Sequence, residues 1–421
     1  MTTINSLVSL FFFIFFVLVS ISAPDTITAA DFFEKPAKAK YSASAILKPE
    51  MVRGKFHKVN NRVTYDGFLY HFTVQSVFGP FELTSITSLA ILIHELEAIA
   101  AMRQVETSDT FKKAMQKSGE NTATGIKNLV NDPEGAIRGA GHGISSLFSR
   151  VTETVGRREL TETEDSRMEQ LIGVSKAKGE IATRYGVNIY SRNKILQEEL
   201  DRLAMADYLG GIGVGLATSA VPGVGGLLLT TSSTARLLNE AINTTSASEL
   251  WLQNKNKLLA MGMDADTIEL FLNNPVFTPA MQTVVVAALK KMKTAPNREL
   301  FLKVGLQAST PDMAKVVSEM TVMAAGYHKH ISPLKGFTPM ARLLKAKKSD
   351  GTVVIFLPID HMIWNQRVAS ITAEIVQQGM NNDAAGFELW ILGTFSDQAR
   401  SSLKSMGWLI HEHARNDFIP K

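Results

Sequence analysis

Hydrophobic and polar positions change rhythm several times along this chain. It opens on an almost wholly apolar run over 7–21 that includes Phe11, Phe12, Phe13, Phe15 and Phe16, and no charged side chain occurs from Met1 to Pro24. A run of this length fits the apolar core of a secretory signal, about 7–15 residues, better than a spanning helix of about 20. A cut after Ala23 would leave Pro24 first, so Ala30 is the better cleavage position. No Lys or Arg precedes the run, which departs from the signal pattern. Residues 1–30 are therefore read as a signal peptide or an N-terminal anchor.

Beyond this run the period becomes that of strands. Arg62-Val63-Thr64-Tyr65 and Tyr70-His71-Phe72-Thr73-Val74 are rich in β-branched and aromatic residues and flank Asp66-Gly67, a hairpin signal. Phe81-Glu82-Leu83 reads as a third short strand. A small antiparallel element is expected over 31–84.

From about Thr87 the period is helical. Leu89, Leu92, Ile93, Leu96 and Ile99 share a face, and Leu196, Leu200 and Leu203 do so later. Between these stretches Gly135, Gly139 and Gly143 recur every fourth residue ahead of the stripe Ile144, Leu147, Phe148 and Val151. Glycine costs about 1 kcal/mol in a helix. The ridge reads as a loop with a short surface helix, as a close helix contact, or as a lipid-facing segment. Tyr208 to Ala235 carries no charged side chain and contains Gly211 and Gly215, with Pro222-Gly223 dividing it. It reads as a helical hairpin hidden in protein or entering a bilayer. This helical region spans 85–243.

Residues 244–348 read as all helix. Ser246 and Glu249 form a capping box, and Thr278-Pro279, Thr310-Pro311 and Thr338-Pro339 each place a cap before a proline suited to the first helical turn. The stripe Met313, Val316, Val317, Met320 and Met323 reads as core. Arg342, Lys345, Lys347 and Lys348 read as a solvated helix end. Over 349–421 apolar runs at Thr352–Leu357, Phe387–Leu392 and Trp408–His411 alternate with helical stretches, which implies a parallel βαβαβ module. The expected fold class is mainly α: a helical central region with a small N-terminal antiparallel β element and a small C-terminal parallel α/β module.

Composition narrows the chemistry. The 421 residues include 44 Lys+Arg and 40 Asp+Glu, a formal charge of +4, which lacks the basic excess of a general nucleic-acid binder. There are no cysteines, so disulfides, thiolate nucleophiles and thiolate metal sites are excluded. No phosphate loop, dinucleotide fingerprint or Gly-x-Ser-x-Gly elbow occurs, and His94-Glu95 lacks the second histidine of a zinc-protease helix because Ala98 stands there. Neither cofactor nor metal is expected.

Ligands of parallel sheets sit beyond the carboxyl ends of strands. Asp360, His361, Thr394 and Ser396 fall there and are the weak catalytic candidates, with His411 and His413 nearby. Gly135, Gly139, Gly143, Gly211 and Gly215 are the candidate membrane contacts. The expected function is an exported, periplasmic or membrane-associated helical binding or scaffold protein, partnered by a membrane surface or an envelope protein. The alternatives are an enzyme, hydrolase-like or anion-binding, with its site in the C-terminal module, and a membrane-active effector.

Overall fold

The computed structural model describes residues 33–35, 41–106, 162–210, 233–340, 343–381 and 383–415. The opening run, the Gly135–Gly143 ridge, Gly211 and Gly215 lie outside the described residues.

The first sheet contains β1 (Tyr41–Ser42), β2 (His57–Val59), β3 (Arg62–Tyr65), β4 (Tyr70–Ser76) and β5 (Gly79–Thr84). All its pairings are antiparallel. One edge of β4 carries β5, and the other is shared by β3 and β2, with the Asn60 N–H donating to the Thr73 carbonyl at 2.8 Å where they break. The expected hairpin forms, but its loop runs over 66–69. Tyr65 pairs with Tyr70, and Asp66 Oδ1 accepts the N–H groups of Phe68 at 2.9 Å and Leu69 at 2.8 Å. Only Gly67 of this loop takes positive φ, at 112°. The Asp66 side chain therefore shapes the turn, instead of a tight pair with two left-handed residues.

Two short helices, α1 (Ala43–Ile46) and α2 (Pro49–Val52), lead into the sheet, and α3 (Ile86–Glu106) follows it. Alternation sends Val63, Tyr65, Tyr70, Phe72 and Val74 to the same face. That face shares one core with Leu89, Leu96, Ile99 and Met102 of α3. Ile181 of α4 (Glu162–Arg184) and Leu196 and Leu200 of α5 (Lys194–Gly210) complete it. Glu199 of α5 is fully buried and pairs with Arg103 at 2.7 Å and with Arg202.

Next come α6 (Ser233–Thr244), α7 (Ala247–Ala260), α8 (Ala265–Leu272), α9 (Pro279–Lys291), α10 (Leu300–Gly305) and α11 (Pro311–His330). The sequence signals that start them act as read. Ser246 Oγ accepts from Glu249 N, Thr278 Oγ1 from Met281 N and Thr310 Oγ1 from Met313 N, each at 3.2 Å. Val317, Met320 and Met323 are buried in a second core with Phe271, Leu289 and Phe301.

The all-helical reading of 244–348 fails after α11. Thr338-Pro339 lies inside β6 (Leu334–Met340), which forms a hairpin with β7 (Leu343–Lys348). Proline suits β6 because this is an edge strand, where a missing N–H interrupts no ladder. In β7, Leu344 and Ala346 are buried while Lys347 is exposed. This is period-two alternation, so Lys345, Lys347 and Lys348 belong to a strand and not to a helix end.

The last sheet has the order β12-β10-β8-β7-β6, from β8 (Val353–Leu357), β10 (Phe387–Ile391) and β12 (Trp408–His411). The last three strands are mutually parallel as read, joined through α12 (Gln366–Met380) and α13 (Asp397–Ser405). However, β7 pairs with β8 antiparallel, so the sheet is mixed and larger than the expected module. Val354, Phe356 and Trp390 face the second core, while Ile355, Leu389 and Ile391 pack with Val368, Ala399 and Leu403 of α12 and α13 in a third. Helices thus cover both faces.

The mainly-α assignment is therefore corrected. With 53% helix and 19% strand and a curled antiparallel half-barrel, the fold is not a helical protein carrying small β elements. The physical reason is that the N-terminal sheet shares its core with three helices, and the C-terminal sheet gains a hairpin from residues read as helix. Among the described residues, no helix is long and apolar enough to cross a membrane.

Candidate functional site

After β8 the chain continues through Asp360 into β9 (His361–Met362), and after β10 it passes Gly393 into β11 (Thr394–Phe395), parallel to β9. A side chain at position 393 would collide with this arrangement, since an ideal Cβ there lies 1.7 Å from the Asp360 carbonyl oxygen. Glycine lets the two strand extensions touch, with Thr394 N–H donating to Asp360 O at 3.1 Å.

The adjacent candidates Asp360 and His361 take different hydrogen-bond partners. The Asp360 carboxylate turns to the N-terminal sheet and accepts the N–H groups of Tyr70 and Ile86, each at 3.1 Å. It caps α3 from a distant part of the chain. Burial pushes its pKa up to about 6, with Glu319 adding to the rise, against the two N–H donors and Lys315. The His361 ring also reaches the N-terminal sheet, lying against Tyr41, Tyr65 and Tyr70. Its Nδ1 lies 2.9 Å from Thr394 Oγ1, and its ring stacks on Tyr70 at 6.0 Å between centroids. Burial lowers its pKa.

Ser396 caps α13, accepting from Ala399 N at 3.0 Å, and donates to Glu34 Oε2 at 2.5 Å. The structure thus joins His361 to Thr394 and Ser396 to Glu34, and places Asp360 in a different cluster. His411 stacks flat on Trp390 at 3.6 Å. His413 takes positive φ, at 54°, and its N–H donates to Gly393 O at 3.0 Å.

A second arrangement surrounds a cavity of about 520 Å³ between α3, α9, α11 and the loop before α5. Apolar walls come from Ile91, Leu92, Met281, Val284 and Val322. Glu319, only 7% exposed, belongs to its polar lining, and its Oε1 has no hydrogen-bond partner and lies 3.9 Å from Lys315 Nζ. Lys315 instead donates to Ser85 Oγ at 3.1 Å and to Ser88. Its burial lowers its pKa, which Glu319 and Asp360 oppose. Arg415 donates to Thr87 Oγ1 at 3.0 Å and is held below its usual pKa by burial, against Glu319 and Asp360.

Further along α3, Glu95 accepts from Ser191 Oγ at 2.5 Å and Asn193 Nδ2 at 3.0 Å, and burial raises its pKa. His94 lies 3.1 Å from the Gly186 carbonyl through Nε2, so that nitrogen carries the proton. Its Nδ1 is then an acceptor, and it has no partner. Burial keeps this ring below its ordinary pKa.

The chain matches no family model, no curated protein and no solved structure. The site must therefore be read from its own chemistry.

Lys315 and Glu319 carry no sequence motif, and His94-Glu95 read only as an incomplete zinc-protease pair, yet a signal exists. Lys315, Glu319 and Val322 follow helical spacing on one face of α11, and Ser88, Leu92 and Glu95 do so on α3. Charged residues on faces that also carry apolar walls mark a helix turned toward something other than plain core or plain solvent. Among the described residues, no group of three or more His, Asp or Glu is arranged to hold a metal.

Proposed function

We propose that this is a binding protein that takes a small amphipathic molecule into the cavity between α3, α9 and α11, and that it works at the cell envelope. The cavity carries the first part of this reading: about 520 Å³, apolar walls and a few buried polar groups is the profile of a small-molecule site. The apolar opening run over 7–21 supports the second part.

The test for binding uses the purified full chain and the neutral fluorophore N-phenyl-1-naphthylamine. Its emission rises on titration, and Val284→Trp, which fills the wall, weakens the response about tenfold while the melting temperature holds. An unchanged response in the variant, or no response in either protein, removes the cavity from the function. Fractionation with a carbonate wash tests the envelope assignment, which a wholly cytoplasmic full-length product would exclude.

A further inference from the structure

We infer that this cavity is a hydrolytic site for esters with an apolar acyl chain, in which Ser88 is the nucleophile and Lys315 its general base. This rests on the cavity reading above and adds a reaction to it.

Two hydroxyls and one amine meet where α3 begins. Lys315 Nζ of α11 donates to Ser85 Oγ at 3.1 Å and to Ser88 Oγ, and the two hydroxyl oxygens lie 3.2 Å apart. A serine hydroxyl is a weak nucleophile until a base within hydrogen-bond reach takes its proton, and a lysine withdrawn from water can be that base. Ser88 and Lys315 both belong to the cavity lining, whereas Ser85 is buried and lies off it. Ser88 is therefore the hydroxyl that meets a ligand. The turn that carries it is tightly held. Ser85 takes φ 83°, a sparsely populated conformation for a residue with a side chain, and its Oγ accepts the Ser88 N–H at 3.2 Å. Asp360 accepts the N–H of Ile86, which anchors the same turn to the C-terminal sheet.

The charges around Lys315 favour this role. Burial lowers its pKa and Arg415 lowers it further, while Glu319, Asp360 and Asp312 oppose the fall. Glu319 is its ion-pair partner at 3.9 Å, longer than a hydrogen bond, so the amine spends its bonds on the two hydroxyls. The net downward shift leaves more of the amine neutral than in a lysine in water. Neutral Lys315 takes the Ser88 proton as Oγ bonds to the ester carbonyl carbon. The ammonium gives that proton to the departing alkoxide as the ester C–O bond breaks, which leaves acyl-Ser88 and a free alcohol. Water then attacks the acyl carbon, Lys315 takes a proton from it and returns one to Ser88 Oγ, and the carboxylic acid departs. Ile91, Leu92, Val284 and Val322 supply the apolar walls for the acyl chain.

The test follows p-nitrophenol release from p-nitrophenyl octanoate by the purified full chain. Turnover is expected, and Ser88→Ala and Lys315→Met should each lower kcat by roughly a hundredfold or more. If either variant does not fold, an alkyl fluorophosphonate on the wild-type chain serves, with the modified peptide identified by mass spectrometry; an adduct at Ser88 is expected. No turnover by the wild type, turnover unchanged in Ser88→Ala, or an adduct elsewhere or nowhere, overturns the hydrolytic assignment. The cavity reading is then judged separately with 2-decanone, an unreactive uncharged analogue. Displacement of N-phenyl-1-naphthylamine by it leaves that reading standing, and failure to displace overturns both.

Discussion

The carboxylate of Asp360 accepts the N–H of Ile86 at 3.1 Å across 274 residues of sequence, and thereby caps the helix whose next turns line the cavity. One residue ties the C-terminal sheet to the N-terminal half-barrel. Its neighbour His361 reinforces the same joint, where the Tyr65 hydroxyl donates to the His361 carbonyl at 2.9 Å.

This joint makes stability depend on pH. Asp360 is raised from 3.8 to about 6 in the fold, so its proton is held more tightly there than in the unfolded chain. Below pH about 3 the group is protonated in both states and imposes no penalty. As pH rises toward about 6 the unfolded chain ionises first, and the fold loses about 3 kcal/mol from this group, constant above that range. Asp360→Asn should remove this loss. Urea denaturation of both proteins near pH 4 and near pH 7 checks it; parallel pH dependence in the two would refute the assignment.

Gly393→Ala should be severely destabilising, by about 3 kcal/mol or more, because the new Cβ has a backbone oxygen 1.7 Å away and no flexible side chain to displace. The measurement is the denaturation midpoint. A change under about 1 kcal/mol would mean that β9 and β11 can separate freely.

Glu388 lies on the sheet face covered by α11 and holds Tyr327 Oη at 2.9 Å, Lys348 Nζ at 3.0 Å and Trp390 Nε1 at 3.0 Å. Tyr327→Phe keeps the ring contacts with Phe356 and Trp390 and removes one donor from a buried carboxylate. A loss of about 2 kcal/mol is expected. If Lys348→Met then costs as much in the variant as in the wild type, the network is not coupled.

The two Thr-Pro pairs with different fates give a direct contrast. Thr278→Ala removes the cap of α9 and should cost about 1 kcal/mol, whereas Thr338→Ala, on an exposed edge strand, should stay within about 0.5 kcal/mol. Comparable losses at both positions would argue that Thr338 caps a helix after all.

The sequence by itself determined what depends on neighbours along the chain. Strand runs at Arg62–Tyr65 and Val353–Leu357, the stripe from Leu89 to Ile99, and the caps at Ser246, Thr278 and Thr310 are local matters of period and hydrogen-bonding side chains, and they form as read. Thr338-Pro339 carries the same local pattern but ends in an edge strand, because pairing with β7 supplies ladder bonds that a helix there would forgo. Tertiary structure alone decided the sites. Asp360 and His361 are adjacent, yet their hydrogen-bond partners are brought by different distant elements, the start of α3 for one and β11 for the other. Glu319, Lys315, His94 and Glu95 come from two distant helices. Their shared cavity exists only because those helices pack with a gap, and no local periodicity encodes where packing stops.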